Sequence, residues 1–151
     1  MQHTFLFEEG YWKACGHYYT ETGQAHEVEG QVRIYHEDDL WIKAGVMKVI
    51  GQESIEICNR YEVIPWEKGQ ELTTWVSINP GLGMLVGTFT VTEDCILSDY
   101  QAEKGDFSGA EVYIRIAPDR YLNRGVLVYK GKEKLSSWST ELNRIPDPET
   151  F

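Results

Sequence analysis

The sequence predicts an all-β chain, folded as a single antiparallel up-and-down β-barrel of about eight to ten strands. Three observations carry this. Turn-forming residues recur at short, regular intervals, from Thr22-Gly23 to Gly131-Lys132. The segments between them are rich in Val, Ile, Thr, Tyr, Phe and Trp. Within the segments apolar and polar residues alternate, and no segment carries a strong 3.6-residue apolar repeat. An antiparallel sheet with one dry face and no helix to cover it must close on itself or fold into two layers. Closure also removes the strand edges that invite aggregation.

The first strand is expected at roughly 10–20, after the apolar lead-in Phe5-Leu6-Phe7, and it opens on Gly10-Tyr11-Trp12. The second, 25–36, alternates most cleanly. Glu27, Glu29, Gln31 and Arg33 share the wet face, and Val28, Gly30, Val32 and Ile34 the dry one, because successive strand residues point to opposite sides. The third is expected at 40–50 and the fourth at 54–64, with Ile55, Ile57, Asn59, Tyr61 and Val63 inward. The fifth to seventh are 72–79, 84–92 and 95–101, bounded by Lys68-Gly69, Asn79-Pro80-Gly81 and Glu93-Asp94. In the eighth, 108–117, Val112, Ile114 and Ile116 are expected inward, and Glu111, Tyr113 and Arg115 outward. The ninth and tenth are 121–130 and 133–144. Only Pro65-Trp66-Glu67-Lys68 and the acidic tail after Ile145 have room for a short helix or turn. Residues 1–151 read as one domain, large enough for a real core.

The formal charge of -10 and sequence pI near 4.8 argue against a phosphate backbone or an anionic membrane surface as partner. Cys15, Cys58 and Cys95 are far apart and odd in number, which fits free thiols in a reducing compartment. The N-terminus has no basic and apolar leader pattern, and no run reaches transmembrane length. The expected location is cytoplasmic.

Gly10-x-Trp12 at the start of the first strand resembles the signature of the calycin superfamily, the lipocalin and streptavidin group. The resemblance implies a lipocalin-like barrel in which Trp12 plugs one end and Arg144, at the end of the last strand, packs over it by a cation–π contact. It covers the chain at the level of strand architecture. The chain departs from lipocalins in ending too soon for a helix after the barrel. It departs from fatty-acid-binding proteins in the short Thr20–Ala25 connection and in lacking a final-strand Arg-x-Tyr. It is similar to nitrobindin barrels in length and strand number but has no histidine after His36 to bind iron. No cofactor is expected.

Small barrels either fill with side chains or hold one ligand. Ala14, Gly16, Gly30, Ala44, Ser77 and Gly87 sit among the bulky inner positions. They either leave room or mark bends. Trp41, Tyr61, Trp75, Tyr113, Tyr129 and Trp138 lie on strands and offer rigid walls with polar tips. The expected ligand-binding residues are Trp12, Tyr18, Asn59, Tyr61, Trp75, Trp138 and Arg144.

Other chemistry is sparse. Cys15 and His17 share a strand face but diverge, with no third group to orient them. His17 and His26 lie on paired strands, yet a transition-metal site needs three or four converging donors, and none is expected. Asn79-Pro80-Gly81-Leu82-Gly83 lacks the lysine of a phosphate loop. The expected function is therefore binding of a small, mostly apolar molecule, without catalysis and with a homodimer as one possible assembly. The alternatives are an isomerase or lyase acting on an apolar substrate, seeded by Asn59, Tyr61 and Ser77, and a filled barrel that binds other proteins. Fold alone does not choose among the three.

Overall fold

The computed structural model describes residues 2–51 and 55–148. Its ten strands are β1 (Gly10–Thr20), β2 (Ala25–His36), β3 (Trp41–Val49), β4 (Ile55–Val63), β5 (Leu72–Asn79), β6 (Gly83–Val91), β7 (Cys95–Ala102), β8 (Phe107–Ala117), β9 (Arg120–Tyr129) and β10 (Glu133–Ile145). Each pairs antiparallel with its neighbours in sequence, and β1 pairs with β10, so the sheet is a closed up-and-down barrel. No α-helix occurs among the described residues. The Pro65–Lys68 stretch is irregular and leads into a turn, with the Gln70 N–H donating to Glu67 O at 2.9 Å.

The hairpins follow their turn chemistry. Between β9 and β10, Lys130 (φ 54°) and Gly131 (φ 65°) are both left-handed. Two such residues make the two-residue turn whose twist suits paired strands.

One end of the barrel is closed by residues 2–9, ahead of β1. Phe5 is fully buried and stands edge-on to Trp12 at 5.3 Å, between the rings of Tyr113 (4.8 Å) and Tyr121 (5.7 Å). Phe7 stacks on Trp66 at 4.5 Å and meets Trp41 edge-on. His3 Nε2 faces the Thr92 carbonyl at 2.9 Å and must carry the proton, since a carbonyl only accepts. His3 Nδ1 then accepts from the Tyr121 hydroxyl at 2.7 Å, and that hydroxyl accepts from the Thr4 N–H at 3.2 Å. The apolar lead-in of the sequence is thus a plug, tied down by a histidine.

The Gly-x-Trp pattern and Arg144 meet at this end. The Arg144 guanidinium lies 5.8 Å from the Trp12 ring centroid. It donates to Glu8 Oε1 and to the Glu9 carbonyl, both at 2.8 Å. A Cβ on Gly10 would stand 3.0 Å from Arg144 Nη2, so glycine gives the guanidinium its berth.

Two inward assignments need correction. On β8, Tyr113 is 2% exposed and packs in the core, while Ile116 is 49% exposed. The inward set is Glu111, Tyr113 and Arg115, aligned with inward Gly125, Asn123 and Tyr121 of β9, and Val112, Ile114 and Ile116 face out. Alternation groups residues by face but does not label the faces, and here the apolar set is the outer one. It continues onto exposed Leu97 of β7, the register partner of Val112. Ala44 also faces out, since it aligns with outward Arg33 and Arg60.

The ladder is uneven. β4 pairs with β5 at three positions only, Tyr61 with Ser77, Glu62 with Val76 and Val63 with Trp75. Beyond Tyr61, β4 stays with β3 but leaves β5. Ile55 and Ile57 have the inward parity of Tyr61, yet they are 54% and 44% exposed. The barrel wall therefore parts at the end away from the plug.

Candidate ligand-binding lumen

Three inner aromatic rings lie across glycines of the neighbouring strand. Trp75 is the register partner of Gly87, Tyr100 of Gly109, and Trp138 of Gly125. A Cβ at those glycines would come within 2.4 Å of Trp75, 2.3 Å of Tyr100 and 2.0 Å of Trp138. The choice between glycines as empty room and glycines as bends is resolved by a third role. Each lets a large ring lie flat against the wall instead of projecting across the barrel.

The rings are anchored at their polar ends. Trp75 Nε1 donates to Ser98 Oγ at 3.0 Å, and the Tyr100 hydroxyl donates to the Val126 carbonyl at 3.0 Å. Trp138 Nε1 donates to Glu111 Oε2 at 2.9 Å, and the Tyr113 hydroxyl donates to Glu111 Oε1 at 2.7 Å. Deeper in the wall, Thr140 donates to Asn123 Oδ1, and Asn123 donates to the Val112 carbonyl. Buried polar groups are thus mostly satisfied, as they must be away from water.

Lys43 is a further charge-bearing group on the inner face, in addition to Glu111. It is 7% exposed, aligns with inward Ile34 and Tyr61, and holds its Nζ 4.1 Å from the Tyr61 ring centroid. Burial pushes the Lys43 amine below the usual lysine range, against the attraction of Glu111. Burial raises the Tyr61, Tyr100 and Tyr113 hydroxyls well above the usual tyrosine range, with the Glu111 charge adding to each. Tyr61, Tyr100, Glu111 and Trp138 are nevertheless only half-buried. These four inward side chains are therefore still partly reached by solvent.

Of the residues expected to bind a ligand, Tyr18, Asn59, Tyr61, Trp75 and Trp138 point inward above the plug. Tyr18 aligns with Trp138 on one side and His26 on the other. Trp12 and Arg144 lie instead at the plugged end, where Trp12 is fully buried against Phe5 and Tyr121. Ser77, a seed for the enzyme reading, spends its hydroxyl on the Arg60 carbonyl at 2.7 Å. His17 aligns with outward Glu27 while His26 faces in, so the two do not converge.

Lys43, Tyr100 and Glu111 were not among the expected residues, and Tyr113, named among the wall aromatics, was expected to face outward on β8. For Lys43 the signal was its parity with Trp41 and Met47, and for Glu111 its parity with Tyr113. In both, a formal charge outweighed the aromatic neighbour two residues away. A separate groove of about 420 Å³ lies on the outer face of β1–β4, lined by Lys13, Glu29, Gln31, Val46, Lys48 and Glu56 among others. Its mixed, exposed charges lie apart from the lumen.

No family model matches the sequence, and no curated protein does. Among solved structures, the chain is similar to "Crystal Structure of Rv2717c from M. tuberculosis", with a TM-score of 0.66 and 16% identity over 90% of this chain and 91% of that one. It is also similar to the S-type phycobiliprotein lyase CPES from Guillardia theta, with a TM-score of 0.64 and 11% identity over 97% and 92% of the two chains. Identities this low show a shared β-barrel fold and nothing finer.

Proposed function

We propose that this chain binds one small, largely apolar molecule inside the barrel, as a carrier or sensor and not as a catalyst. The observation that supports this most is the set of flat rings on glycines. Tyr100 and Trp138, both half-buried, offer ring faces along the wall, with Trp75 packed beneath Tyr61 as their support. A planar or elongated apolar body laid on them gains contact area at roughly 25 cal/mol per Å² buried, less the cost of fixing the ligand. The parting of β4 from β5 offers a route of entry. The lyase similar in fold acts within its own biology, and only its architecture bears on this chain.

The test is native mass spectrometry of protein purified without added ligand, followed by organic extraction. It is paired with titration of the refolded chain by ten-carbon amphiphiles, read through tryptophan emission. A discrete copurifying mass, or saturable one-to-one binding that perturbs Trp75 and Trp138, is expected. A clean mass and no change in emission up to about 1 mM probe, a free energy near -4 kcal/mol, would overturn the reading and favour a filled, protein-binding barrel.

A second reading rests on Glu111 and Lys43, the inward polar pair that acid–base chemistry on an apolar substrate requires. Glu111→Gln keeps the shape of the carboxylate and removes its charge. Unchanged turnover in that variant, for any substrate found, would eliminate this reading.

A further inference from the structure

A patch of inward polar groups without partners among the described residues lies on the paired strands β3 and β4. The Lys43 ammonium makes no hydrogen bond and no ion pair among the described residues, although it is 7% exposed. Its one close partner is the face of the Tyr61 ring. The Tyr61 hydroxyl likewise has no hydrogen-bond partner among the described residues. At the next inward position of β4, the side-chain oxygen of Asn59 is buried without a donor. Gly45, its register partner, leaves the space that Asn59 occupies.

Glu111 does not relieve Lys43. It attracts the amine from a distance, but its two oxygens accept from Tyr113 and Trp138. A buried amine with no partner is costly, and the usual compensation is a paired anion. The chain carries a formal charge of -10, so a general attraction for anions is not available to it. An anion drawn into this barrel would be drawn by Lys43. The patch also adjoins the segment of β4 that has left β5, where an amphipathic ligand entering from solvent leaves its head.

Resting on the binding reading above, we propose that Lys43 and Tyr61 hold the carboxylate head of an amphipathic ligand, whose apolar body lies along Tyr100 and Trp138. The ammonium and the phenol donate to the carboxylate oxygens, and the carboxylate's charge favours the protonated form of the Lys43 amine. Neutral molecules of the same length keep the wall contacts and lose the head contact.

The test is calorimetric titration of decanoic acid and decan-1-ol into the wild-type chain, Lys43→Met and Lys43→Arg, all at pH 7. The wild type should bind the acid at least about tenfold tighter than the alcohol, the worth of one charge-assisted hydrogen bond. Lys43→Met should lose that preference while keeping its affinity for the alcohol, and Lys43→Arg should retain it. Methionine replaces an unpaired buried amine with an apolar group of similar length, so this variant should fold, as near-ultraviolet circular dichroism would verify. Equal binding of acid and alcohol by the wild type, or a preference that survives in Lys43→Met, overturns the proposal and leaves the binding reading standing. Failure of both probes to bind the folded wild type overturns both.

Discussion

Trp138 reaches Glu111 by lying across Gly125. The three residues stand side by side on β10, β9 and β8, and the indole N–H donates to the carboxylate at 2.9 Å over the strand between. The middle position has no room for a side chain, since a Cβ there would fall 2.0 Å from the indole.

Gly125→Ala should therefore cost about 1–3 kcal/mol, the usual range for overpacking, with a further loss if the ring lifts away from Glu111. Urea unfolding measures the first effect, and the tryptophan bands of near-ultraviolet circular dichroism the second. Gly51→Ala is the control, because nothing lies within 4 Å of a Cβ there and its φ is not left-handed. Equal unfolding midpoints for the two variants would refute the account of the flat ring.

The inner tyrosines predict an alkaline response. Tyr61, Tyr100 and Tyr113 keep their protons in the folded chain above the ordinary tyrosine value of 10.0, because burial and Glu111 oppose a phenolate. The unfolded chain releases those protons from about pH 10 upward. In that window the folded state binds more protons, so stability falls as pH rises. Below it, stability is insensitive to these three groups. Absorbance at the phenolate band should show the Tyr61, Tyr100 and Tyr113 contribution appearing together at alkaline unfolding. A smooth titration of all nine tyrosines before unfolding would contradict an inner location for the three.

The plug depends on one hydroxyl. Tyr121→Phe keeps the ring that packs on Phe5 and Trp12 but removes the donor to His3 Nδ1 and the acceptor of the Thr4 N–H. Leaving buried polar groups unpaired costs roughly 1–3 kcal/mol. Thermal unfolding should register that loss. Susceptibility of residues 2–9 to proteolysis should rise with it while the strands stay protected.

The parted wall predicts fast exchange. The β4 amides between Ile55 and Arg60 that face away from β3 have no partner on β5, whereas β9 and β10 are paired along nearly their whole length. Local opening governs amide exchange. These β4 amides should exchange orders of magnitude sooner than those of β9, and bound ligand should slow them. Uniform protection around the barrel would close this route of entry.

The class, order and spacing of the elements were legible in the sequence, whereas the choice of ten strands within the expected eight to ten came from the closed sheet. Turn residues at regular spacing bracket ten segments, and each expected strand end lies within one residue of the observed one. The meeting of Trp12 and Arg144 was expected from the resemblance of Gly10-x-Trp12 to the calycin signature, and the structure brings the two within 5.8 Å. Which face of a strand is inside was legible on β2, where Val and Glu alternate, and not on β8. There Tyr113 with Glu111 competes with Val112 and Ile114 for the interior, and only closure of the barrel decides. Asn123 and Gly125 on β9, with Trp138 beyond them, give Glu111 a partner and a place. Lys43 was placed inside in the same way, through Ile34 and Tyr61 on either side. Period-two alternation is a local property of one strand. The partners that make a charged residue tolerable inside lie on other strands, tens of residues away, and only the tertiary structure brings them together.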